Sequence, residues 1–79
     1  MQLDIVTPEK SLYSGKVELV QLPGKDGSFE ILNNHASIVS SLGKGTIKLK
    51  TVEGDEIFFE VGGGVVECKK NVISVLADS

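Results

Sequence analysis

The sequence predicts a single all-β domain over residues 1–79, and three observations support this prediction. Turn-forming residues recur along the whole chain, and the segments between them are short and rich in Val, Ile, Leu and Phe. Several segments alternate apolar with polar side chains, which is typical of half-buried strands. No stretch of ten or more residues has a helical period; 36–42 comes nearest, but it is short and contains Ser, Ile and Val.

The elements follow one another between seven turn signals. In the first segment, Leu3 and Ile5 share one face, whereas Gln2 and Asp4 share the other. The last segment, 72–77, is apolar on both faces, so it is predicted to be a central strand covered on both sides or part of a subunit contact. The turn signals lie at 7–9, 23–27, 33–34, 43–45, 53–54, 62–64 and 69–71.

One hairpin has a predictable register. A three-residue loop over 52–54, with Gly54 in the left-handed conformation, keeps the apolar side chains of both flanking strands on one face. The pairs predicted are Leu49 with Ile57 and Ile47 with Phe59 on the core side, and Lys50 with Glu56 on the solvent side, with Phe58 exposed beside Lys48.

Composition argues against several classes of partner. The net charge is −3, and the eight basic residues are all Lys and form no cluster, so nucleic acid is not expected as a partner. Cys68 is the single cysteine, which favours a reducing compartment and a buried apolar role. No apolar stretch approaches the ~20 residues of a membrane helix, and the start lacks the pattern of a signal peptide.

No motif predicts catalysis, a metal site or a cofactor. Residues 43–46 lack the spacing of a phosphate loop, and the glycines at 62–64 open no helix, so both are predicted to be backbone turns or bends. His35 is the single histidine and has no ligand spacing around it. It is compatible with a structural or interface role, a pH-sensitive contact, or an active site shared with a serine.

An ordered set of segments spanning the chain resembles the epsilon subunit of the rotary proton-translocating (F-type) ATP synthase, in its N-terminal β-sandwich domain. Ser37 departs from the family pattern, which usually has Pro after His-Ala. Family members commonly continue into an inhibitory helical hairpin; we expect none here, and the sequence leaves a naturally short subunit and a truncated one equally open. The matching segments are 3–10, 12–15, 22–24 with Gly27, 31–32, 34–36, 62–63 with 65–67, 71–72 and 75–78.

The resemblance implies a fold and a function. The fold would be a flattened ten-stranded β-sandwich of two five-stranded sheets without a helical hairpin. The protein would be a non-catalytic central-stalk subunit that couples rotation of the membrane c-subunit ring to the gamma subunit during proton-driven ATP synthesis. Its partners would be the gamma subunit, the c-ring and other ATP synthase subunits, and it would be peripheral at the cytoplasmic face of the energy-coupling membrane, reaching the membrane only through the complex. The alternatives are an independent small-ligand-binding β-sandwich and, more remotely, a hydrolase built on His35 and a serine.

The resemblance also assigns surface residues. Ser28 stands where the family commonly has an acidic residue, so a charge contact to the ring would pass to Glu30 or Asp26 or be lost. Each of the assigned positions also fits an ordinary turn or surface residue. The residues implied to face the c-ring are Ser28, Glu30, Asn33, Asn34 and His35, and those implied to face gamma are Thr7, His35 and Ser40.

Overall fold

The computed structural model describes residues 1–78, which form eight β-strands and no helix. These residues therefore contain no helix that could cross a membrane. The strands are β1 (Gln2–Val6), β2 (Ser11–Gly24), β3 (Gly27–Leu32), β4 (Ile38–Leu42), β5 (Gly45–Thr51), β6 (Glu56–Val61), β7 (Gly63–Lys69) and β8 (Val72–Asp78). The all-β prediction is confirmed.

All eight strands contribute to the core or pack against it. The alternation of side chains along each strand directs every second residue inward, and these residues form one contiguous cluster. Cys68 lies within it at 2% exposure, as the sequence predicted. The buried apolar residues are Leu3, Ile5, Val17, Val20, Leu22, Ile31, Leu42, Ile47, Leu49, Val61, Val66, Cys68, Ile73, Val75 and Ala77.

Strand β2 is long and belongs to both layers around this core. Its first part pairs with β1, and its second part pairs with β3 and β5. The register shifts between Val17 and Leu19, so the inward position changes from the odd-numbered Val17 to the even-numbered Val20 and Leu22. An extra residue in a strand produces this change of phase and bends the strand, which lets one strand pass between two layers.

The expected ten strands in two five-stranded sheets are not what the structure has. Hydrogen bonds join the eight strands into one sheet of order β1-β8-β7-β4-β2-β5-β6, with β3 paired to β2 and a further pairing of β1 with β2. One strand of the difference comes from β2, which continues unbroken through both layers. We call β1, β8, β7, β4 and the first part of β2 the first layer, and the rest of β2 with β3, β5 and β6 the second layer.

The predicted β5–β6 register is confirmed at every pair. Gly54 has a φ of 98°, and Phe58 is exposed opposite Lys48. The solvent-side ion pair differs from the prediction, because Glu56 lies directly opposite Lys50 but its carboxylate contacts the Lys48 Nζ at 3.2 Å. Diagonal neighbours on one face of a sheet are within reach of a long lysine side chain, so register alone does not choose between the two lysines.

Strand β8 is central in the sheet, as one of the two alternatives for residues 72–77 predicted, but it is not covered on both faces. It lies between β1 and β7 and buries Ile73 and Val75 in the core. Val72 and Leu76 point away from the core, and Leu76 is 58% exposed. The expectation of cover on both sides is therefore wrong for this domain, whereas the alternative of a subunit contact stays a prediction.

The glycines at the start of β7 allow a close approach of two backbones. Gly64 has a φ of 148°, and a Cβ there would lie against the Leu76 carbonyl oxygen and 3.0 Å from the Ala77 Cα. Gly27, the first residue of β3, also has a positive φ, of 122°, but a Cβ there would meet nothing within 4 Å. Both positions thus have a positive φ that favours glycine, but only Gly64 also lacks space for a side chain.

We expect Gly64→Ala to lower the free energy of unfolding by about 2–4 kcal/mol, since it combines an unfavourable φ with a clash against neighbouring backbone. Gly27→Ala is the matched control. It should lower the free energy of unfolding by about 1 kcal/mol, because it has the unfavourable φ without a clash. Urea denaturation of both variants measures the difference. Equal losses would show that the approach of β7 to β8 is not as tight as described.

Candidate interaction surfaces

The outer side of the first layer carries a group of apolar side chains, of which three are exposed and Val6 is half-buried. Leu76 on β8 lies opposite Val6 on β1 and Val65 on β7, so the three side chains are cross-strand neighbours. Val39 on the adjoining strand β4 points to the same side and is 70% exposed. We call these four residues the apolar face. Exposed apolar groups that cluster in this way mark contact sites more often than scattered ones do.

One free edge of the second layer is formed by β3, and the other by β6. In the described residues β3 pairs with β2 alone. Ser28 and Glu30 are exposed on its outer face, whereas Phe29 and Ile31 turn toward the core. Two of the residues predicted to face the ring are therefore side by side on an accessible strand.

The turn after β3 holds the other predicted ring-facing residues. Asn33, Asn34 and His35 are all exposed, and Asn34 has a φ of 63°. The His35 backbone N–H donates to the Leu32 carbonyl at 3.1 Å, which closes the turn. The His35 Nδ1 lies 2.7 Å from the Ala36 carbonyl and donates to it, so this nitrogen is occupied by backbone.

Thr7 is placed differently from an exposed contact residue. It is 8% exposed, and its Oγ1 accepts a hydrogen bond from the Lys10 backbone N–H at 3.2 Å. Its own N–H donates to the Lys10 carbonyl at 2.8 Å. Thr7 thus holds the turn that follows β1, and the accessible residues there are Pro8, Glu9 and Lys10.

Ser40 is half-buried and lies beside the β2–β3 hairpin. It lines a cleft of about 550 Å³ together with Ser28, which belongs to the other predicted surface. The structure therefore brings Ser28 and Ser40 together, whereas Ser28 lies near the start of β3 and His35 lies three residues after its end. The exposed residues of β4 are Val39 and Ser41; Val39 was not selected from the sequence, although the apolar pair Ile38-Val39 is visible there.

Comparison with known proteins decides the family. A sequence profile described as "ATP synthase, Delta/Epsilon chain, beta-sandwich domain" matches residues 1–79. The chain belongs to this family. The family's description as a β-sandwich agrees with the two layers around one core.

Curated relatives and solved structures agree with this membership. The chain is 41% identical over 78 residues to the ATP synthase epsilon chain of Leptospira interrogans serovar copenhageni and 38% identical over 79 residues to that of Leptospira borgpetersenii. Both matches cover 99% of this chain and 61% of the relative, so the chain spans about three-fifths of their length.

Two solved assemblies contain a chain of the same fold. One is the Euglena gracilis mitochondrial ATP synthase, OSCP/F1/c-ring in rotational state 1, with a TM-score of 0.91, 15% identity, and cover of 98% of this chain and 49% of that chain. The other is the Tetrahymena thermophila mitochondrial ATP synthase central stalk and c-ring, with a TM-score of 0.83, 19% identity, and cover of 100% and 63%.

If Thr7 serves the turn, its hydroxyl should matter for stability. Thr7→Val keeps the shape but removes the acceptor for the Lys10 N–H, and we expect a loss of about 1 kcal/mol in unfolding free energy. Thr7→Ser retains the hydroxyl and should lose less than half as much. Thermal and urea unfolding measure both variants; a Thr7→Val protein as stable as the wild type would contradict the structural role.

Proposed function

We propose that this domain is a non-catalytic part of the rotor in the central stalk of an ATP synthase, where it couples rotation of the c-subunit ring to the gamma subunit. It would be peripheral, at the cytoplasmic face of the energy-coupling membrane, and would reach the membrane through the complex. Family membership supports this proposal, and so does the presence of two chemically different surfaces on one packed core.

The apolar face is the proposed site for gamma. Val6 precedes Thr7, and Val39 precedes Ser40, so this face adjoins two of the three residues that the family resemblance assigned to gamma; the third, His35, lies in the turn after β3. Leu76 forms its centre, because it pairs with Val6 on one neighbouring strand and with Val65 on the other. A cluster of rigid apolar side chains on a sheet is suited to a lasting subunit contact, because little side-chain entropy is lost on binding.

The edge of β3 and the turn after it are the proposed site for the c-ring. Ser28 lacks the charge of a carboxylate, but Glu30 is exposed on the same face of the same strand, two residues further along. Glu30 therefore supplies the negative charge toward basic groups in the polar loops of the ring, and Asn33, Asn34 and His35 continue this polar surface. Charge contacts of this kind set orientation and the rate of association more than affinity.

A coupling element must transmit force without deforming. The two proposed surfaces lie on opposite layers, and both layers pack into the same buried cluster. Because close-packed interiors are nearly incompressible, displacement of one layer is passed to the other. No chemistry is required of the domain for this role.

The gamma contact is tested by charge at the centre of the apolar face. Leu76→Glu should weaken binding to the gamma subunit at least about tenfold, since an unpaired carboxylate would be desolvated at the contact. Stability should change by less than about 0.5 kcal/mol, because Leu76 is exposed. Val52→Glu, at a residue 54% exposed in the β5–β6 loop, is the control and should bind normally. Size-exclusion chromatography and calorimetry with gamma measure both; equal binding by the two variants rejects the assignment.

The ring contact is tested by charge reversal. Glu30→Lys should lower the affinity of the gamma–domain complex for the purified c-ring about tenfold in low salt, and the difference should shrink as salt screens the charges. Glu53→Lys makes the same change at an exposed loop position away from β3 and serves as control. Biolayer interferometry over a salt series gives the comparison. A loss that does not depend on salt, or one shared by both variants, would rule out a charge contact through Glu30.

A further inference from the structure

One asparagine connects two distant turns. The side chain of Asn71, in the β7–β8 turn, accepts a hydrogen bond at Oδ1 from the Asn34 backbone N–H at 2.8 Å. Its Nδ2 donates to the Asn33 Oδ1, also at 2.8 Å. Both the oxygen and the nitrogen of the Asn71 side-chain amide therefore bond to the turn after β3, although Asn71 and Asn34 are 37 positions apart in the chain.

The backbone of Asn71 fixes this side chain in place. Its φ is 64°, a left-handed conformation that asparagine tolerates better than most residues. Its carbonyl accepts a hydrogen bond from the Gln2 N–H at 3.1 Å, which ties the turn to the start of β1. Asn71 is half-buried, whereas Asn33 and Asn34 are exposed. Asn71 is thus anchored to the first layer, and its side chain holds the more exposed Asn33–Asn34 turn.

We propose that Asn71 is a positioning residue for the ring-facing turn and a direct polar link from this turn to the layer that bears the apolar face; the Met1 ammonium also donates to the Asn33 Oδ1, at 3.5 Å. The inference rests on the proposed function. The Asn33–Asn34 turn belongs to the connection from β3 to β4, and Asn71 leads directly into β8, whose Leu76 is the centre of the apolar face. Force applied at the turn would pass through two hydrogen bonds of 2.8 Å into β8.

The test removes the side chain without straining the backbone. Asn71→Gly keeps the positive φ at no steric cost and deletes both hydrogen bonds. We expect amide exchange at Asn34 to accelerate at least tenfold, measured by NMR on the 79-residue chain. In the gamma–domain complex, affinity for the detergent-solubilised c-ring should fall at least fivefold, whereas affinity for gamma should stay within twofold. General destabilisation of the domain would lower the affinity for both gamma and the c-ring. A loss of affinity for the c-ring alone is therefore specific to a positioning role.

Two further variants complete the experiment. Lys70→Gly makes the same backbone change one residue earlier, where φ is 52° and the side chain is exposed, and should leave Asn34 exchange and ring affinity within twofold. Asn71→Asp should largely restore ring affinity, because its carboxylate accepts from the Asn34 N–H and from the Asn33 amide after a flip of that amide.

The outcomes separate this inference from the proposed function. A wild-type gamma–domain complex that does not bind the ring overturns the proposed function and this role with it. Ring binding that Asn71→Gly leaves intact, or that Lys70→Gly weakens equally, overturns the role of Asn71 alone. An unchanged exchange rate at Asn34 in Asn71→Gly would show that the two hydrogen bonds do not hold the turn.

Discussion

The passage of β2 through both layers is the constraint on which the rest of this structure depends. A chain of 79 residues has little apolar material, and it closes a core only if both layers face the same cluster. The shift in register beyond Val17 turns Val20 and Leu22 into that cluster while the strand continues without a break. The neighbours of β2 on either side of the shift, β1 before it and β3 and β5 after it, take their places from it.

A shared core has a consequence for function. Because one cluster supports both layers, neither the apolar face nor the edge of β3 is an independent module, and each is held against the other by packing. The hydrogen bonds of Asn71 add a directional link at the periphery, where packing is weakest and the turns are exposed. Stiffness and separate contact surfaces are what the proposed rotor role would need, and the shared core supplies the stiffness.

Much of the fold could be predicted from the sequence, but the candidate surfaces less so. The β5–β6 register follows from the requirement that Ile47 and Leu49 share a face with Ile57 and Phe59 around Gly54. The family resemblance led to Ser28, Glu30 and the Asn33–His35 turn, which are all accessible. It also led to Thr7, which is buried: the two-residue period through Leu3 and Ile5 places it inward, and its hydroxyl is satisfied within its own turn. The apolar face was signalled only by the double-sided apolar pattern of β8.

The sequence by itself determined the all-β class, the positions of the turns and the residues that share a face, because turn chemistry and the two-residue period of a strand are local properties. Only the tertiary structure decided that Ile73 and Val75 are covered while Leu76 is not, that Glu56 contacts Lys48 across the diagonal, and that Asn71 reaches the turn after β3. These outcomes depend on which segments approach one another across the core. A period of two fixes the two faces of a strand, but the neighbouring layer selects which face is inside.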